Sequence, residues 1–137
     1  MLLANRTIFI VEDNVQNRVV FKMALIRHGA RVEFERSGAN STFLLKALNS
    51  VDLIILDLML SDGISGFSVF DEIRALPQYE HVPIIAVSAM EPAVALPQVR
   101  EKGFAGFFTK PIDAGEFPKQ VARIINGERI WTTSGAL

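Results

Sequence analysis

Cysteine is absent from the 137-residue chain, which excludes disulfide bonds, thiolate catalysis and sulfur-based zinc sites. Histidine is nearly as scarce. His28 and His81 lie far apart and in no ligand-like spacing, so both read as surface or cap residues. Neither sign of charge dominates. With 14 basic and 15 acidic residues the net charge is -1, and the basic face that would hold a nucleic-acid backbone is missing. No apolar run approaches the roughly 20 residues of a membrane span. The opening MLLANRTIFIVED has no charged n-region followed by a long apolar core, so it does not read as a secretory signal. The expectation is a cytoplasmic protein with no membrane and no direct nucleic-acid partner.

What the chain has in quantity is apolar side chains, 50% of the residues, with a mean hydropathy of +0.29. Strands buried on both faces, as in a parallel sheet between helix layers, use that much. Short aliphatic runs alternate with helical-period stretches. The pattern predicts strands over 7–11, 31–35, 53–57, 83–88 and 106–110. Helices are predicted over about 14–28, 40–49 and 65–76. A last one has an Asp113/Glu116 capping box at its start, with Pro118 allowing a first turn later than Asp113. It carries Phe117, Val121, Ile124 and Ile125 on one face and ends at Gly127. The result is an α/β chain, a (βα)5 doubly wound sheet of five parallel strands. It fills one domain over 1–127, with 128–137 as a C-terminal tail or the start of a linker. The single tryptophan, Trp131, falls in that tail.

In such a sheet every strand ends on the same edge, where open α/β folds bind their ligands. Strand one runs out at Glu12 and Asp13, strand three at Asp57, strand four at Ser88 and strand five at Lys110. A carboxylate inside LIILDLML (53–60) is costly unless the strand ends there. Three clustered carboxylates repel one another, and a hard divalent cation with oxygen ligands, Mg2+ first among them, resolves this. Three negative charges, a doubly charged ion and Lys110 sum to zero, a site that can accept an incoming phosphoryl group.

These motifs, IFIVEDN, LIILDLML, PIIAVSA and GFFTKP, resemble those of the receiver domain of bacterial response regulators, the two-component signalling group that includes the chemotaxis regulator. The resemblance covers about residues 5–126, and the intervals of 44 from Asp13 to Asp57, 31 to Ser88 and 22 to Lys110 are typical of it. It implies the flavodoxin-like receiver fold and a phosphorelay function. Asp57 would be the phosphoacceptor, taking the phosphoryl group from a histidine kinase or phosphotransfer protein. Glu12, Asp13, Asp57 and the backbone carbonyl of Met59 would hold Mg2+. Lys110 would pair with a phosphoryl oxygen, with Pro111 behind a cis peptide bond. Ser88 and Phe107 would form the switch toward a downstream effector. The chain would be a signalling switch and not a turnover enzyme, acting as a stand-alone receiver or as one cut from a larger kinase or regulator. A homodimer through the helix 4–strand 5–helix 5 face is a further expectation.

The sequence also departs from the family. Ser61 replaces the usual proline after the acceptor, and the SDGISG loop is one residue longer than usual, so greater mobility is expected there. Pro92 and Pro97 predict a fourth helix shortened to about 97–102 after an irregular loop. Met59 and Met90 occupy positions that tune self-dephosphorylation in the family, and as apolar residues they predict a long-lived phosphoryl group. Three rivals remain in view. A haloacid-dehalogenase-type phosphatase would need a carboxylate at Met59, and a flavodoxin-like flavin binder would need a glycine- and hydroxyl-rich loop in place of EDN. The third is a receiver-fold interaction module that takes no phosphate.

Overall fold

The computed structural model describes residues 1–132. Six parallel strands form one sheet: β1 (Thr7–Val11), β2 (Arg31–Glu35), β3 (Leu53–Leu56), β4 (Ile84–Ser88), β5 (Gly106–Thr109) and β6 (Ile130–Trp131). Their spatial order is β2-β1-β3-β4-β5-β6. Five α-helices connect them: α1 (Val15–Ile26), α2 (Ser41–Ala47), α3 (Gly66–Arg74), α4 (Pro92–Lys102) and α5 (Phe117–Ile125). Among the described residues no helix is long and apolar enough to cross a membrane.

The continuous apolar runs reflect burial on both faces. Along β3, Ile54 and Leu56 join one core with α2, α3 and α4, while Leu53 and Ile55 join a second core with α1 and α5. Period-two alternation thus sorts one strand into two cores. Edge strand β2 is the exception: Arg31 is exposed, and only Glu35 is fully buried. That carboxylate accepts from the Ser41 hydroxyl at 2.6 Å, the Ser37 amide at 2.6 Å and the Ser37 hydroxyl at 2.9 Å. Burial alone would raise its pKa, but these donors outweigh burial and hold it below the usual carboxylate range.

Two expectations are corrected. The fourth helix is not shortened to 97–102. It starts at Pro92, a first-turn position where the missing N–H has no helical partner to lose. Pro97 sits inside it, and the burial of Ala95 and Val99 against the core overrides the local penalty. The sheet has six strands, not five, because part of the stretch read as a tail or linker pairs with β5. Gly106 aligns with Ile130 and Phe107 with Trp131. Residues 133–137 of that stretch lie outside the described residues. A smaller difference concerns the last helix: Asp113 Oδ1 accepts from the amides of Gly115 and Glu116 at 2.9 and 3.0 Å, while the Glu116 side chain makes no cap bond. The helix starts at Phe117, with Pro118 in its first turn.

Ser41→Ala removes a hydrogen bond to a buried carboxylate and should cost about 1.5–3 kcal/mol at neutral pH in denaturant titrations. Because the folded pKa of Glu35 is depressed, this stabilisation exists above the unfolded value and disappears as pH falls through the folded one. The gap between wild type and variant should therefore close below about pH 4.

Candidate functional site

Strand β3 ends at Leu56, and the next residue, Asp57, is held by its own amide, which donates to the Val11 carbonyl at 3.2 Å. The side chain is nearly buried. Its Oδ1 accepts from the Met59 amide at 3.1 Å and its Oδ2 from the Lys110 ammonium at 2.7 Å. Lys110 follows β5, two strands away, and reaches across the end of β4. The same Nζ lies 2.8 Å from Glu12 Oε1. That second contact is an ion pair outside hydrogen-bond geometry, so Glu12 Oε1 is compensated in charge while lacking a directed donor.

Glu12 is 1% exposed. Burial raises its pKa despite the Lys110 ammonium and the Asn14 amide, which donates to Oε2 at 3.1 Å. Lys110 shows the converse balance: burial would lower it, but Asp57 and Glu12 outweigh that and raise its pKa. Asp13 stands beside them. Its partial burial pushes upward, yet the Ser61 hydroxyl, in close contact with Oδ2, and the Ser61 amide at 2.9 Å hold it below the usual range.

One oxygen from each of Glu12, Asp13 and Asp57 lies within 4.8 Å of the others. Three carboxylates and one ammonium leave an excess of two negative charges. An incompletely bonded buried oxygen within an all-oxygen donor set suits a hard divalent cation that keeps part of its water shell. The donor set therefore fits Mg2+.

Ser88 is fully buried at the end of β4. Its hydroxyl accepts from the Met90 amide at 3.2 Å, and its carbonyl accepts from the Lys110 amide at 3.0 Å. Phe107 is fully buried in the core on the α4 side. The Lys110–Pro111 peptide is cis. Thus Glu12, Asp13, Asp57 and Lys110 meet directly, Ser88 joins them through the backbone of Lys110, and Phe107 lies deeper in β5.

Three neighbours of the site escaped the sequence reading. Ser61, noted there only as a missing proline, fastens the SDGISG loop to Asp13. Arg18 donates to the Glu12 carbonyl at 2.9 Å, and nothing local in the sequence signals this. Gly66 opens α3 directly behind the acceptor loop. A Cβ there would stand 2.2 Å from the Asp57 carbonyl oxygen and 2.8 Å from Leu58 Cα. A glycine placed within a helix just after its N-cap, Ser65, was the available sign of such a close approach.

With this geometry in place, residues 8–122 match the family model of the response regulator receiver domain. The chain belongs to the response regulator receiver family. Similar relatives of this receiver include the transcriptional regulatory protein AfsQ1 of Streptomyces coelicolor, 30% identical over 95% of this chain and 56% of its own. Another is the two-component response regulator ORR8 of Oryza sativa subsp. indica, 25% identical over 82% of this chain and 92% of its own. Bacterial and plant proteins are both represented. Among solved structures, the receiver domain of a sensor histidine kinase from Pseudomonas aeruginosa PAO1 superposes with a TM-score of 0.76. It is 31% identical and covers 90% of this chain and 99% of that one. The receiver fold is shared throughout.

In this receiver, Gly66→Ala should lower unfolding stability by about 3 kcal/mol, since the added methyl meets backbone and not a yielding side chain. A denaturant midpoint unchanged from wild type would contradict that.

Proposed function

We propose that this receiver accepts a phosphoryl group on Asp57 from the phosphohistidine of a kinase or phosphotransfer protein, in a Mg2+-dependent reaction. The observation that carries the reading is the Lys110 ammonium held between Asp57 and Glu12 with Asp13 alongside. In the transfer an Asp57 carboxylate oxygen forms a bond to phosphorus as the phosphorus–nitrogen bond breaks. The imidazole leaves with the electron pair and takes up a proton. Lys110 then faces the phosphoryl oxygens, and Ser88 offers its hydroxyl to another of them.

Glu12, Asp13 and Asp57, with the Met59 carbonyl, are the residues that would hold Mg2+. The ion supplies charge compensation on the transferring group. The Pseudomonas neighbour is described with a magnesium ion coordinated in its active-site cleft, which supports the same assignment here. Phosphorylation would shift the population of a partner-binding state by differential contacts at Ser88 and Phe107. A downstream effector would read that state.

Incubation with Mg2+ and acetyl phosphate should add one phosphoryl group by intact mass, with none added to Asp57→Asn or after chelation. Equal gain by the variant, or none by wild type, overturns the reading, and a folded wild type that takes none is the interaction module instead. The Met59 side chain is half-exposed at the rim and Met90 is half-buried against the core. A thioether accepts hydrogen bonds weakly, so neither can orient an attacking water. The phosphoryl group should therefore persist for minutes or longer, and loss within seconds would contradict this.

A further inference from the structure

The edge of β5 is where the fold does something its other strands do not require. Residues 128–132 return after α5 and lie along it. The Ile130 amide donates to the Ala105 carbonyl at 3.2 Å and the Thr132 amide to the Phe107 carbonyl at 2.8 Å. The Thr132 hydroxyl reaches that same carbonyl at 3.3 Å. Ile130 packs against the core on the α5 side and Trp131 against the core on the α4 side, so the segment wedges between both helix layers.

Each attachment has a dedicated device. Gly106 leaves room for the segment: a Cβ there would stand 2.8 Å from the Ile130 carbonyl oxygen. Arg100 of α4 lies over the Trp131 ring, 5.0 Å from its centroid. Arg123 of α5 clamps both carboxylate oxygens of Glu128 at 2.9–3.1 Å, just before the strand begins.

The segment is also tied to the acidic site through one short stretch of backbone. Phe107, whose carbonyl takes both Thr132 bonds, is three residues before Lys110, whose ammonium rests on Asp57. On the function proposed above, a phosphoryl group on Asp57 would compete with the carboxylates for that ammonium, and a re-paired Lys110 would pull on the end of β5. On its other side β5 is held by four residue pairs with β4, and by only two pairs with β6. The weaker attachment is the one that yields.

We infer that residues 128–132 are a latch on the edge of β5, closed in the unphosphorylated chain and released by phosphorylation of Asp57, uncovering the strand edge between α4 and α5. This rests on the function proposed above. By linkage, whatever loosens the latch favours the phosphorylated state by the same factor.

Trp131 is the only tryptophan and reports on the latch without a label. The full chain is treated with Mg2+ and acetyl phosphate and followed by intact mass, tryptophan emission and amide hydrogen exchange. Phosphoryl gain should be accompanied by a red-shifted, more quenchable emission. Exchange at the Ile130 and Thr132 amides should quicken on the order of fivefold or more, while the Lys110 amide on β4 stays protected. Asp57→Asn should show none of these changes. Arg100→Gln, which removes an exposed cation and leaves the acidic site intact, should give faster exchange at both amides before any phosphodonor is added. If the mass rises while emission and exchange stay fixed, or move toward a tighter latch, this inference fails and the phosphoacceptor reading stands. If no phosphoryl group is gained, both fail.

Discussion

The Lys110 ammonium, set between the carboxylates of Asp57 and Glu12, is the contact around which the site is organised. Its geometry is demanding because β5 and β3 are not neighbours. Strand β4 lies between them, so the cation must come from a long side chain that spans the end of β4. The end of β4 carries Ser88, a small residue whose hydroxyl is engaged with the Met90 amide and whose carbonyl positions the Lys110 backbone. Parallel pairing on both sides of β3 then brings Glu12 and Asp57 to the same height. Sheet order, strand register and side-chain length must all agree before the three charges can meet.

That meeting is a compromise and not a gain in stability for its own sake. Burying charges costs several kcal/mol per ion, and attraction within the site offsets the cost only when the partners stay in place. The opposed shifts display the compromise: desolvation wins at Glu12, whose pKa rises, whereas its partners win at Lys110. Asp13 is kept ionised by a separate tether to Ser61. Two negative charges remain unbalanced at a site where Glu12 and Asp57 are buried and Asp13 is only partly so. A surplus of that kind is what a hard divalent ion would offset.

The site was legible in the sequence to the extent that strands announce themselves. Aliphatic runs set the strand ends at Val11, Asp57, Ser88 and Lys110, within one residue of the observed ends, and the polar residues gathered there followed from chain order alone. What sequence reading missed was set by approach distances in three dimensions. Gly66 matters because of an oxygen nine residues earlier in the chain, Ser61 because of a carboxylate 48 residues away. The fourth helix shows the complementary failure. Two prolines argued against it, and burial of Ala95 and Val99 prevailed over that local preference. Trp131 looked like the start of a linker because a two-residue strand leaves no periodicity to read.

The two edges of the sheet show why that short strand belongs to the fold. An exposed strand edge is a row of unpaired backbone groups that invites association with another chain. On the β2 side the remedy is written in the sequence: RVEFE alternates charge with apolar residues, and Arg31 and Glu33 stand outward. On the β5 side no such remedy is possible, since all four residues of GFFT are buried and apolar content is needed for both cores. Charge cannot guard that edge, so backbone must, and Ile130 and Trp131 supply it while continuing both apolar layers. A guard made of two residues is weak by construction. Weakness is tolerable at an edge that needs to be covered in one state and available in another, which is why its position beside Phe107 matters more than its length.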